Sequence, residues 1–186
     1  MIDISIISPT NSPKKLAQLL NQIQSQSHNG LAIELIIIQE SYNQVPFRMV
    51  QSPILANATI IRSKPHYDYG CVARNLGLKS ATGQYVVFWD DDNIYYNHAI
   101  AALYTTALDN DIGICRTYHL DMVIPIYDEP TMGDIDTMCI CVKRDLALKE
   151  AWPTNKTKYS DFIYINNLMK HRPTIRHNKM IIGQHL

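Results

Sequence analysis

Three adjacent carboxylates, Asp90-Asp91-Asp92, follow directly on the apolar run Tyr85–Trp89. Neighbouring like charges disfavour one another's ionisation. Such a run is therefore either a solvated acidic loop or a site waiting for positive charge. Grouped carboxylate oxygens are the hard ligands that Mg2+ or Mn2+ prefers. A divalent ion held there can bridge to a diphosphate and stabilise the charge that develops on a leaving group. Arg74 and Asn75 are read either as part of such a polar site or as a helix-surface ion pair with a local cap. The other candidates for metal chemistry are weaker. Cys71, Cys115, Cys139 and Cys141 lack the CxxC spacing of a zinc site and are expected as reduced, buried thiols. His66, His98, His119, His171 and His177 have no zinc-forming spacing and are expected to be surface or locally hydrogen-bonded.

The elements that must position these residues alternate between strand and helix. Ile2–Ser8 reads as a buried first strand. Ser12-Pro13 supplies a capping residue and a proline at the first helical position, and Leu16, Leu19, Leu20 and Ile23 then fall on one face. Ile33–Ile38 is a second buried strand, and a short helix is expected between Ser41 and Asn57. Ala58–Ile61 reads as a weak third strand, Tyr69–Ala81 as a helix and Tyr85–Trp89 as a fourth strand. Ile100, Leu103, Tyr104, Ala107 and Leu108 mark an amphipathic helix before a fifth strand, Ile112–Cys115. From about Tyr118 the character changes. A strand is expected over Thr137–Val142, a helix opening at Arg144-Asp145, and a second helix over Tyr159–Lys170 with Phe162, Ile165, Leu168 and Met169 inward. This alternation predicts one α/β domain with a mostly parallel open sheet and helices on both faces. In such sheets ligands sit beyond the carboxyl ends of the strands, which here carry Pro9-Thr10-Asn11, Gln39-Glu40-Ser41 and the aspartates.

Composition narrows the partners. The 186 residues suit a single domain, and 46% are hydrophobic. Lys plus Arg and Asp plus Glu both number 17, so the net charge is zero and there is no global electrostatic case for nucleic acid or an anionic membrane. No apolar run is long enough to span a bilayer, and Met1-Ile2-Asp3-Ile4 lacks the pattern of a secretion signal, so a cytoplasmic location is expected.

Taken in order, Gly70-Cys71-Val72-Ala73-Arg74-Asn75-Leu76-Gly77, Ala81-Thr82-Gly83-Gln84-Tyr85 and Phe88-Trp89-Asp90-Asp91-Asp92-Asn93 resemble the family 2 glycosyltransferases of the GT-A fold. Ile4–Asn11 is similar to their first strand and nucleotide loop. The resemblance covers residues 2–110 well and implies roles. Ser8, Pro9 and Thr10 would line the base and ribose pocket. Glu40 would take the place of a family aspartate near uracil and ribose, and Arg74 would lie near the diphosphate. Asp90 would reach ribose or metal, Asp91 the donor sugar, and Asp92 would be the principal ligand of Mn2+ or Mg2+. Where the family usually has Asp-Asp-Gly-Ser, this chain has Gln39-Glu40-Ser41-Tyr42. The resemblance further implies a UDP-sugar donor, a hydroxyl acceptor and inversion. Residues 1–117 would form the nucleotide-sugar part of the single domain and residues 118–186 the acceptor side.

Inverting transfer needs a general base for the acceptor hydroxyl. Family 2 enzymes often use the aspartate of a Glu-Asp pair at a helix start, and the similarly placed residues here are Ser160-Asp161. Asp161 is the candidate base. The alternative is that Ser160 caps the helix and Asp161 complements its positive end. Asp134 and Asp136 are second choices. Trp152 is read as partial core or as a platform for a sugar ring. His185 is a candidate late metal ligand, the alternative being a disordered tail. Two other classes stay open: a non-catalytic nucleotide-sugar-binding module, and a nucleotidyltransferase. Pro9-Thr10-Asn11-Ser12-Pro13 lacks the glycine-rich basic loop that the latter would want.

Overall fold

The computed structural model describes residues 1–41 and 52–186. The elements follow in the order β1 (Ile4–Thr10), α1 (Pro13–Gln24), β2 (Ile33–Glu40), β3 (Leu55–Ser63), α2 (Cys71–Ser80), β4 (Tyr85–Phe88) and β5 (Ile94–Tyr95). They continue as α3 (Ala99–Ala107), β6 (Ile112–His119), β7 (Met122–Ile124), β8 (Ile140–Lys143), α4 (Arg144–Ala147), α5 (Ser160–Met169) and β9 (Ile175–His185). The short helix expected between Ser41 and Asn57 falls largely outside the described residues. Among the described residues the strands form one sheet in the order β3-β2-β1-β4-β8-β6-β9-β5, with β7 on the edge of β6. β3, β2, β1 and β4 run parallel, as do β6 and β9; β8 runs against both of its neighbours. This is the expected α/β architecture with a mostly parallel sheet.

The local reasons are those the sequence supplies. All seven residues of β1 are buried, which requires helices on both faces. Ser12 caps α1 by accepting the N–H of Lys15, and Leu16, Leu19, Leu20 and Ile23 are all buried. In α5 the buried set is Ser160, Tyr164, Ile165 and Leu168, while Phe162 and Met169 are only partly covered. Leu108 ends α3 rather than facing inward and is 39% exposed. The four cysteines are free and buried, as expected. Glu34 is a buried carboxylate that the apolar pattern of β2 does not announce. It accepts Ser5 Oγ, the N–H groups of Thr82 and Gly83, and Thr82 Oγ1, and so ties the turn before β4 to the centre of the sheet.

Two expectations are corrected. Thr137–Val142 is not one strand: Thr137–Cys139 is a 3-10 turn, and the strand begins at Ile140. Asp136 causes this by accepting the N–H of Met138 at 2.9 Å, which closes a turn before the chain can extend. The tail is not disordered. Ile175–His185 forms β9, parallel to β6 and antiparallel to β5. Gly183 permits the second pairing, because a Cβ there would lie 2.1 Å from the carbonyl oxygen of Ile94. Among the described residues no helix is long and apolar enough to cross a membrane.

Candidate active site

Parallel pairing of β2, β1 and β4 brings Glu40, Thr10 and the aspartates to one edge of the sheet. Antiparallel pairing brings the start of β8 to the end of β4, so Asp136 and Thr137 arrive at the same edge. A cleft of about 700 Å3 opens there. Pro9, Thr10, Glu40, Arg74, Asp90, Asp91, Asp92, Asp161 and His185, all singled out from the sequence, line it. Ser8 does not: it is fully buried, and its hydroxyl has no partner among the described residues. Asp134 is not brought there either. Its carboxylate accepts the N–H groups of Ile126 and Tyr127 and shapes that loop. Asp136 does line the cleft.

The three aspartates occupy three different environments. Asp90 receives the Arg74 guanidinium and the Thr137 hydroxyl, the latter at 3.3 Å. Its own N–H donates to Tyr95 Oη at 2.9 Å, and the Tyr95 ring stacks on Trp89 at 3.9 Å. Thus β5 fixes the start of the acidic run. Asp91 is buried and accepts the Thr10 hydroxyl; burial pushes its carboxyl up to about 6, against the lowering effect of that hydrogen bond. Asp92 turns outward, 51% exposed, and faces Lys15 Nζ at 2.9 Å.

Arg74 is not a helix-surface residue. It is 4% exposed, donates to the Tyr69 carbonyl at 2.6 Å, and lies 4.8 Å over the Trp152 ring. Burial works against its charge, but Asp90 and Asp161 outweigh this and hold the guanidinium proton more tightly than usual. Asn75 is not a local cap. It clasps the backbone of Trp152, donating to its carbonyl at 3.0 Å and accepting its N–H at 2.8 Å. Trp152 itself is 1% exposed, edge-on to Phe88 and stacked on Tyr164 at 4.2 Å, so it is core and offers no face to a sugar. Exposed aromatic rings at the cleft come instead from Tyr67 and Tyr69, which the sequence reading passed over. Both have positive φ, as does Gly70, the N-cap of α2. The signal available was the Tyr67-Asp68-Tyr69-Gly70 run itself, two aromatic residues beside a glycine at a helix start, where the chain turns with positive φ.

Asp161 sits in the first turn of α5. The cap is Tyr159, not Ser160, whose hydroxyl instead donates to Asp161 Oδ1 at 3.2 Å. Burial pushes the Asp161 carboxyl up to about 7; Arg74 opposes this, while Asp136 and Asp90 add to it. A carboxylate so placed titrates where a general base is most effective. His185 faces Asp136 at 3.6 Å and stacks on His119 at 4.5 Å. His119 is therefore not an isolated surface histidine. Glu40 pairs with His66 at 2.9 Å, a local contact of the kind expected for that histidine.

The model of the family "Glycosyl transferase family 2" matches residues 5–123. The poly(ribitol-phosphate) beta-N-acetylglucosaminyltransferase TarP of Staphylococcus aureus (strain N315) is 28% identical over 113 residues, which are 60% of this chain and 35% of TarP. Among solved structures, S. aureus TarS bound to UDP superposes with a TM-score of 0.71 at 14% identity, covering 99% of this chain and 60% of that one. TarS bound to UDP-GlcNAc gives 0.71 at 15%, covering 99% and 58%. The Pyrobaculum calidifontis mannosyltransferase PcManGT, bound to GDP-Man and Mn2+, gives 0.64 at 15%, covering 98% and 56%. The chain thus spans about a third of its curated relative and under two thirds of these structures.

Proposed function

The chain belongs to glycosyl transferase family 2, and from that premise we propose that it transfers a sugar from a UDP-sugar to a hydroxyl acceptor, with inversion and with the help of Mn2+ or Mg2+. The observation that carries this reading is the meeting of the acidic run and Asp161 in one cleft, with the Arg74 guanidinium set among them. A cleft of this volume suits a nucleotide-sized ligand. Residues 1–117 hold the donor: Pro9, Thr10 and Glu40 at the nucleoside, and Asp90 and Asp91 toward ribose and sugar. Tyr67 and Tyr69 add exposed rings on which a base or sugar can stack. Residues 118–186 supply the acceptor side.

The acidic run suits a hard cation. Asp92 is the half-exposed member, and the lysine opposite it is itself 43% exposed and free to swing away. Asp92 and Asp90 would be its oxygen ligands, and His185, on the same cleft, would be the nitrogen ligand. An ion held by these residues would supply charge neutralisation for the leaving diphosphate. Asp161 takes the proton of the acceptor hydroxyl. Arg74 holds Asp90 in place and moderates the proton affinity of Asp161. The position of Asp161 favours turnover over the non-catalytic alternative, because a surface cap would not share its field with Asp90, Asp136 and Arg74. The relatives bound to UDP and UDP-GlcNAc favour uridine as the base.

The test is thermal. UDP with Mn2+ is expected to raise the melting temperature, and Asp92→Asn to abolish the metal-dependent part of that rise. Absence of a shift with every nucleoside diphosphate tried, with or without metal, would refute the donor site. UDP binding without hydrolysis or transfer of any donor sugar would refute the catalytic reading.

A further inference from the structure

We propose that Gln22 is a positioning residue for the acidic run: its side-chain amide clasps the backbone just beyond Asp92 and so holds Asp90 and Asp92 in place. The inference rests on the reading of that run as a cation site. β5 is only two residues long, Ile94–Tyr95, and among the described residues it pairs with β9 alone. Its other edge has no neighbouring strand. Buried backbone groups left without a partner are costly. Gln22, on α1, supplies both partners. Its Oε1 accepts the Tyr95 N–H at 2.6 Å, and its Nε2 donates to the Asn93 carbonyl at 3.0 Å. In an extended chain, residues two apart present these groups on one edge, so the amide stands in for a strand.

The clasp lies one link from the aspartates. Tyr95 is 3% exposed, stacks on Trp89 at 3.9 Å, and accepts the Asp90 N–H at 2.9 Å. The acidic run is therefore a loop closed at both ends, by Tyr95 at Asp90 and by Gln22 at Asn93. Lys15 stands seven positions before Gln22, two turns and about 10 Å along the same face of α1. It meets Asp92 at 2.9 Å. Gln26, just past the end of α1 and buried, repeats the clasp further on. It donates to the Tyr96 carbonyl at 2.9 Å and accepts the Ile100 N–H at 3.1 Å. Thus α1 and its exit follow the chain from Asp92 to Ile100. Lys15 is half-exposed and yields to an ion. The two glutamines hold backbone, and their contacts do not depend on what occupies the cleft. Groups that orient ligands from behind are typically worth about tenfold or more in metal affinity.

The test titrates Mn2+ into the protein with UDP present and reads the free ion by its electron paramagnetic resonance signal, alongside thermal melts of each variant. Gln22→Leu, close to glutamine in volume and unable to make either bond, is expected to weaken Mn2+ binding by about tenfold. Gln26→Leu frees backbone further from the run and is expected to weaken it by no more than about threefold. Leu20→Ala is the comparison. Leu20 is buried on another face of α1, so its truncation lowers the melting temperature while Mn2+ affinity stays within about twofold. If Gln22→Leu is unfolded at the assay temperature, Tyr95→Phe takes its place. That variant keeps the ring on Trp89, removes only the oxygen that the Asp90 N–H meets, and is expected to weaken binding by a similar factor. The proposal is overturned if Gln22→Leu, or Tyr95→Phe in its place, binds Mn2+ as the wild type does. It is equally overturned if Leu20→Ala, at the same loss of melting temperature, weakens binding as much. A wild-type protein that binds no Mn2+ overturns the cation reading and this inference together, which sets that failure apart from failure of the inference alone.

Discussion

Asp161→Asn should destroy turnover and at the same time stabilise the protein at alkaline pH. In the folded chain burial raises the Asp161 carboxyl from 3.8 to about 7. Between those values the native state holds a proton that the unfolded chain has released, so stability falls as pH rises through the window. At 1.36 kcal/mol for each tenfold change in proton affinity, this amounts to a ceiling of roughly 4 kcal/mol at pH 8. Asp161 shares its field with Asp136 and Asp90, which relax in the variant, and the expected gain is about 2 kcal/mol. For a chain of this length that is a rise of roughly 4–8 °C in melting temperature. Most of the gain should be gone at pH 4, where the folded residue is protonated and the unfolded one, with its ordinary value of 3.8, is roughly 40% protonated. Arg74 keeps its Asp90 partner, so the variant does not strand a buried charge. Turnover should fall by about 10^2–10^4, the usual worth of a general base, with UDP affinity unchanged. Wild-type turnover should in turn rise with pH up to about 7, following ionisation of the base. Thermal melts at pH 4 and pH 8, a nucleotide titration and a donor-hydrolysis assay measure all three quantities. A variant less stable than wild type at pH 8, or one retaining more than about a tenth of the activity, would refute both the placement of Asp161 and its role.

Two further substitutions probe the scaffold that sets this geometry. Gly183→Ala forces a Cβ against the Ile94 carbonyl; it should cost about 2 kcal/mol by overpacking and should reduce the metal-dependent part of the UDP-induced rise in melting temperature, because separation of β9 from β5 displaces His185. Unchanged melting and an unchanged metal-dependent shift would mean that the β5–β9 pairing does not position the site. Glu34→Ala strands the Thr82 N–H and the Ser5 hydroxyl in the core and should lower stability by about 3 kcal/mol in urea melts, with Glu34→Gln costing less because it restores an acceptor.

The part of the cleft built by β1, β2 and β4 was legible because its residues sit at fixed offsets from strand ends. The run after β4, Thr10 after β1 and Glu40 at the end of β2 all follow from periodicity plus the rule that parallel sheets bind ligands at their carboxyl edge. Ser8 was misplaced because, although it shares a strand face with Thr10, it lies one pair deeper in the β1–β2 ladder, where its side chain is buried below the cleft. The part built by β6, β8 and β9 was harder for a topological reason. The position of Asp136 depends on β8 running antiparallel, and that of His119 on β6 pairing with a strand that begins more than fifty residues later. Neither pairing is written in a local pattern. Trp152 illustrates the same limit, since only the clasp by Asn75 and the stack on Tyr164 show it to be core.

The charges around Arg74 explain why the base should be Asp161 and not one of its neighbours. A single buried guanidinium faces Asp90, Asp136 and Asp161, and one positive charge cannot neutralise three negative ones. At least one carboxylate must therefore keep its proton toward neutral pH. Asp90 is in direct contact with Arg74 through Oδ1 and receives the Thr137 hydroxyl on Oδ2. Asp136 spends one oxygen on the Met138 N–H and faces His185 with the other. Asp161 has the weakest local compensation, a single hydroxyl donor at 3.2 Å, and it lines the open cleft. It is thus the member of the set that can exchange a proton with a ligand without breaking the scaffold. Its affinity for that proton falls whenever positive charge is brought to the cleft, so a base built in this way is most readily ionised when the donor side is neutralised.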